Sequence, residues 1–227
     1  MNRSLDLFVF DLAGTTVVDD DHVLRAFERT AAAHGIATDR LRLKPRMGWH
    51  KLRVFETLLA EVGRATDAAP AMAERFEREF AAVVADAPLR PTAGAVAAIR
   101  GFAEAGVKVA FNTGFARNTA DLVLRAVGWQ HLPSVASDEV AHGRPAPDLI
   151  LAAMARAAVT DPRRVGVAGD TPSDLEAGTA AGCRFVVGVG HGTHTLEELR
   201  RCKHTHLLPT LEGLLPLILD DPTEQDA

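Results

Sequence analysis

The 227-residue chain has no tyrosine, only two cysteines, and aromatic side chains at 5%. Without tyrosine, no phenol can serve as a proton donor in any site the chain builds. Cys183 and Cys202 are too few for a disulfide framework or a cysteine-rich metal cluster and read as reduced thiols of a cytoplasmic protein. No run of about 18 apolar residues occurs, which argues against a membrane span. Met1 to Asp6 lead straight into the first apolar stretch, leaving no room for a signal peptide. Positive charge is not in excess: 25 Lys and Arg against 30 Asp and Glu give a formal −5, no electrostatic footprint for nucleic acid. His191, His194, His204 and His206 fall close together, but no accompanying cysteine or carboxylate set completes a zinc site. Internal repeats and low-complexity tracts are also missing.

What remains is an ordinary globular composition, 47% hydrophobic and 24% charged, long enough for one domain with a substantial insertion. The chain is organised around Leu7-Phe-Val-Phe-Asp-Leu-Ala-Gly-Thr15. Its apolar run ends at Asp11 and is broken by Gly14, the pattern of a strand buried on both faces. Residues 19–87 then change character: apolar residues at helical spacing predict helices over about 20–34, 47–61 and 69–86, with Pro45 just ahead of the middle one. From Pro91 onward strands and helices alternate. Strands are expected at 107–111, 134–137, 165–168, 185–189 and 206–208, with helices near 92–105, 116–127, up to 158, 173–181 and up to 219. That alternation implies an α/β fold, a parallel sheet covered by helices on both faces. Residues 220–227 are polar and expected to fray.

Several strand ends carry polar residues: Asp11, Thr113, Arg144 one loop on, and the pair Asp170 and Asp174. Singly, Thr113 could cap a helix, Arg144 could be solvated and Asp170 could be a helix N-cap. Together they fall at the edge where open α/β sheets hold their chemistry. Asp11-Leu-Ala13-Gly-Thr15, Thr113, Arg144 and Gly169-Asp170-x-x-x-Asp174 resemble the four motifs of the haloacid dehalogenase superfamily, over nearly the whole chain. The resemblance implies a Rossmann-like three-layer core, residues 1–18 and 88–227, with 19–87 as an inserted all-helical cap.

It also implies chemistry. Asp11 would attack phosphorus to give an aspartyl-phosphate. Mg²⁺ would be held by Asp11, the Ala13 carbonyl and Asp170, with Asp174 in or next to its shell. Gly14 and Thr15 would line the phosphoryl site; the Thr113 hydroxyl and Gly114 N–H would bond phosphoryl oxygens; Arg144 would add a forked cation. Two departures narrow the reaction. Ala13 replaces the aspartate that serves phosphatases of the superfamily as general acid, and Arg144 replaces the usual lysine. Both are features of phosphonoacetaldehyde hydrolase (phosphonatase) and its relatives. Those enzymes break a P–C bond through a lysine Schiff base, and Met47-Gly-Trp-His-Lys51 resembles their Met-Gly-x-x-Lys segment, with Met47 and His50 at the substrate. Lys51 must be desolvated or held near a cation to act, with Arg46, His50 and Arg53 as candidate neighbours. Val54 stands where phosphonatase tends to carry a histidine. The expected substrate is phosphonoacetaldehyde or another 2-oxoalkylphosphonate. The alternatives are a phosphomonoesterase, a haloalkanoate dehalogenase or an inactive phosphate-binding module. By analogy, a homodimer through the cap, with Trp49 in the contact, is a further expectation.

Overall fold

A computed structural model describes residues 5–219. Strands β1 (Leu7–Asp11), β2 (Lys108–Asn112), β3 (Ser134–Val135), β4 (Val165–Gly169), β5 (Phe185–Val189) and β6 (His206–Leu208) form one parallel sheet. Their order is β3-β2-β1-β4-β5-β6. β1, β4 and β5 are buried end to end, which is why they read as unbroken apolar runs. The strand period divides β1 between two cores: Phe8 and Phe10 face one cluster with Phe102 and Phe111, while Leu7 and Val9 face another with Leu149, Ile150 and Val167. A sheet between two helical layers follows.

Between β1 and β2 the chain is helical: α1 (His22–Ala33), α2 (Arg40–Leu43), α3 (Lys51–Glu61) and α4 (Ala69–Asp86). Phe27, Phe55 and Phe76 pack with ring centroids 4.6–6.3 Å apart, and Phe115 from the sheet domain lies 5.0 Å from Phe80 with its ring tilted by 46°. The aromatic core of the cap therefore continues into that of the sheet. The two linkers run side by side: Val18 N–H donates to Arg90 C=O and Thr92 N–H to Thr16 C=O, both at 2.9 Å. After them come α5 (Ala95–Glu104), α6 (Arg117–Ala126), α7 (Asp148–Arg156), α8 (Pro172–Ala181), α9 (Leu196–Leu199) and α10 (Leu214–Leu219).

Three expectations shift. The middle cap helix begins at Lys51, because Met47 and His50 have extended ψ of 143° and 130° and Gly48 has φ 83°. Pro45 belongs to a short 3₁₀ turn, Lys44–Arg46, which with α2 was not expected. The strand expected over 134–137 keeps two residues and then turns at Ser137–Glu139. The 220–227 tail lies outside the described residues, among which no helix is long and apolar enough to cross a membrane.

Candidate active site

β1 and β4 are neighbours where the strand order reverses direction, the position at which doubly wound sheets open a crevice. Asp11 closes β1 there, 5% exposed. Arg144, 1% exposed, reaches it from the loop before α7: Nη1 lies 2.7 Å from Asp11 Oδ1 and 2.7 Å from Asp174 Oδ1. Its Nη2 donates to the Asn112 carbonyl at 2.9 Å and also to the Asn112 side chain. Both terminal nitrogens of the fork are thus engaged inside the protein, while the buried Nε has no hydrogen-bond partner among the described residues. Burial, and then repulsion from Asp174, outweigh the attraction of Arg144 and raise Asp11 to about 6.

Asp170 follows β4 and is fully buried. Thr15 Oγ1 donates to its Oδ1 at 3.1 Å and the Thr193 N–H to its Oδ2 at 2.6 Å. Gly14, at φ 86°, makes room for this carboxylate: a Cβ there would fall 2.3 Å from Asp170 Oδ2. Burial, with repulsion from Asp11 and Asp174, holds Asp170 well above the usual carboxylate range. Asp174 Oδ2 accepts from Thr171 N and Oγ1 at 3.0 and 2.6 Å, and its Oδ1 lies at Arg144 Nη1. Among the described residues no three His, Cys, Asp or Glu side chains form a ready-made cage. Mg²⁺ does not require one, since it takes one or two carboxylates and retains waters. Asp11 and Asp170 are hard oxygen donors with more negative charge around them than Arg144 offsets, and this donor set fits the ion.

The cap closes over this edge. Asp11, Ala13, Asp170, Thr113 and Gly114 line one small cavity with Met47, Gly48 and Lys51 of the cap. The Thr113 Oγ accepts from Phe115 N–H at 3.2 Å, which leaves its own proton to donate. Gly114 is where the halves touch: a Cβ there would meet Gly48 O at 2.5 Å and Trp49 O at 2.8 Å. Trp49 Nε1 donates to Ser173 Oγ at 3.0 Å and Lys44 Nζ to Glu198 Oε1 at 2.6 Å, so Trp49 binds the cap to its own core.

Lys51 is 7% exposed, a rare condition for lysine. Its Nζ lies 4.8 Å from the Phe115 ring centroid, 5.4 Å from Phe27 and 5.6 Å from Phe76, and donates to Trp49 O at 3.3 Å. Burial is the main cause that lowers it to about 8, with Arg144 adding to the effect and Asp11 opposing it. The cation neighbour is therefore Arg144. Arg46 pairs with Glu61, and Arg53 lies 4.4 Å over the Trp49 ring. His50 is corrected as well. Its Nδ1 accepts from Leu52 N–H at 3.2 Å as the cap of α3, and it lines a separate cleft with Asp138 and His142. An extended backbone at position 50 turns it away from the Lys51 cavity.

Sequence reasoning missed Thr193, Thr171 and Phe115, loop residues that line the cavity without a local signal. Asp19, in the linker before α1, lines the cavity too. Cys183 and Cys202 are free, as expected.

Comparison with known proteins agrees with this architecture. Residues 5–182 match the family model of haloacid dehalogenase-like hydrolases. The chain is 30% identical to phosphonoacetaldehyde hydrolase of Latilactobacillus sakei, over 77% of this chain and 71% of that protein. It is 28% identical to the probable phosphatase IndB of Dickeya dadantii, over 92% and 91%. A hydrolase from Pseudomonas syringae superposes with a TM-score of 0.84 at 24% identity, over 92% of this chain and 96% of that one, which speaks for the fold. With a family model spanning most of the chain and the same strand-end motifs gathered at one sheet edge, this protein belongs to the haloacid dehalogenase-like hydrolases.

Proposed function

We propose that this hydrolase cleaves the P–C bond of phosphonoacetaldehyde or a related 2-oxoalkylphosphonate. The observation that carries the reading is Lys51: a buried amine, lowered to about 8, lining the same cavity as Asp11. A C–P bond cannot break to a free carbanion under mild conditions, so the electrons need a sink. The Lys51 amine condenses with the substrate carbonyl, loses water and becomes an iminium. Asp11 attacks phosphorus as the P–C electron pair moves into the iminium, leaving an enamine on Lys51 and phosphoryl on Asp11. Water then hydrolyses the aspartyl-phosphate, and protonation and hydrolysis of the enamine free the aldehyde. Arg144 holds Asp11 in line, while the Thr113 hydroxyl and Gly114 N–H hold phosphoryl oxygens. Asp11, the Ala13 carbonyl and Asp170 would hold Mg²⁺, which when bound would neutralise the charge between carboxylate and phosphoryl group.

Phosphate-ester hydrolysis is the second reading, favoured by the similarity to a probable phosphatase. Ala13 weighs against it, because an alkoxide leaving group then departs without the superfamily's acid, a loss of roughly 10²–10⁴-fold. The deciding experiment is intact mass after borohydride reduction in the presence of phosphonoacetaldehyde and Mg²⁺, for the native protein and Lys51→Arg. The expected result is a substrate-dependent mass gain in the native protein alone. No gain in either, with phosphate released from a phosphomonoester panel, would install the second reading.

A further inference from the structure

Schiff-base formation needs a group that takes the lysine proton and returns it to the departing hydroxyl. Phosphonatase's histidine position holds the buried Val54, the chain has no tyrosine, and His50 faces another cleft. On the proposed reading of Lys51, which this inference rests on, we infer that Asp19 is the proton shuttle of Schiff-base formation.

Asp19 lies in the incoming linker between β1 and α1, directly beneath the cap. It is shared by two cavities: the small one with Asp11 and Lys51, and an adjoining one of about 220 Å³ that also holds Gly14, Arg40, Met47 and His191. Asp19 thus borders the Lys51 chamber and a larger polar space beside it, and its charge is felt at Lys51. Neighbouring acids are paired, Asp20 with Arg90 and Asp21 with Arg40, both on the surface. Asp19 has a different companion. Its Oδ1 accepts from the Val23 N–H at 3.0 Å and lies 3.8 Å from His22 Nδ1. His22 is 2% exposed, with its Nε2 bonded to the Ala87 carbonyl at 2.7 Å. Nδ1 is buried and has no hydrogen-bond partner among the described residues. As a carboxylate Asp19 keeps the Val23 N–H, and a buried, unpartnered ring nitrogen stands close to the same oxygen. Burial raises Asp19 above the usual carboxylate range, in the direction such a shuttle needs.

The step balances. The Lys51 ammonium passes one proton to the Asp19 carboxylate, and the free amine attacks the carbonyl carbon. A proton moves from the nitrogen to the alkoxide, giving the neutral carbinolamine. The Asp19 carboxyl returns its proton to the carbinolamine hydroxyl; the C–O bond breaks, water leaves, and the nitrogen lone pair forms the C=N bond. Asp19 ends as the carboxylate it began as, and the net change is ammonium plus carbonyl to iminium plus water.

The test isolates this step. In an Asp11→Asn background the P–C bond stays intact, so phosphonoacetaldehyde stops at the iminium, and quenched-flow borohydride trapping read by intact mass gives its rate of formation. Adding Asp19→Asn, whose amide oxygen can still cap α1, is expected to slow trapping by about a hundredfold or more. An Asp19→Ala version should recover part of the rate with added formate, which a purely structural role would not allow. Equal trapping rates with and without Asp19, within about threefold, would overturn the shuttle while leaving Lys51 as the Schiff-base lysine. No adduct even with Asp19 intact would overturn both.

Discussion

At the residue scale the site is a set of buried charges that hold one another away from their ordinary ionisation. Lys51 at about 8 predicts how imine formation follows pH. The shuttle starts from the Lys51 ammonium, whose proton Asp19 returns to the departing hydroxyl, so the trapping rate should hold up to about 8 and fall above it. A rate that still holds at pH 9.5 would mean an ordinary, solvated lysine. Arg144 gives a second prediction. Arg144→Leu leaves Asp11 and Asp174 buried without their cation, a change that costs about 3–5 kcal/mol in comparable pairs. Because Asp11 is already raised to about 6, protonation relieves part of this cost in acid. Urea unfolding should therefore show a larger loss at pH 8 than at pH 5; equal losses would disprove the charge account. Asp11, Thr113 and Asp170 were legible because each sits at or just beyond a strand end, which a short apolar run marks in the sequence, whereas Arg144, in the loop before α7, and Asp174, inside α8, were legible only through the motifs they belong to. Asp19 was not, since it is one of three consecutive aspartates with nothing local to tell them apart, and only the fold separates the one at the cavity from its paired surface neighbours. His50 was misread for a related reason: its place beside Lys51 says nothing about a backbone that leaves the helix between them.

At the scale of elements, the segment Met47–His50 decides how cap and core meet. Periodic apolar residues run on from α3, so the sequence suggested a helix from 47. The core requires a loop there instead, inserted between Gly114 on one side and Thr171 and Ser173 on the other. Tertiary contact overrides local pattern at this place. The same contact yields a clean probe. Gly114 does not have a positive φ, so alanine suits its backbone and keeps the N–H proposed for the phosphoryl group. Its Cβ would nevertheless collide with the Gly48 and Trp49 carbonyls, which cannot swing aside like a side chain. Gly114→Ala is expected to leave the circular dichroism spectrum unchanged and to lower kcat/KM at least about tenfold, because closure assembles Lys51 over Asp11. Limited proteolysis should find the cap loop more accessible. Native kinetics in this variant would show that closure does not depend on the Gly114 contact. The Lys44–Glu198 pair should matter less, as both side chains are about a third exposed and screened.

For the whole molecule, the strand order and the inserted cap give one result: carboxylates from the ends of β1 and β4 are brought together, buried, under a lid. Folding alone leaves them short of positive charge, since Arg144 is the cation in contact with Asp11 and Asp174, and Asp170 is bonded to neutral donors. A divalent cation bound only by the folded chain should then stabilise it as a whole. With Mg²⁺ at about 100 times its Kd, the gain is about 2.7 kcal/mol, seen as a higher Tm without any turnover. Proton and metal compete for the same oxygens, and both Asp11 and Asp170 are raised, so the gain should be large at pH 8 and shrink towards pH 5. Asp170→Asn should abolish most of it, because the amide removes the charge while its oxygen can still accept from Thr193. A Tm indifferent to Mg²⁺ at pH 8, or one equally raised in Asp170→Asn, would place the metal elsewhere or remove it from the account. A Tm that follows Mg²⁺ in the native protein and not in the variant would tie the ion to the carboxylate edge that the sheet order creates.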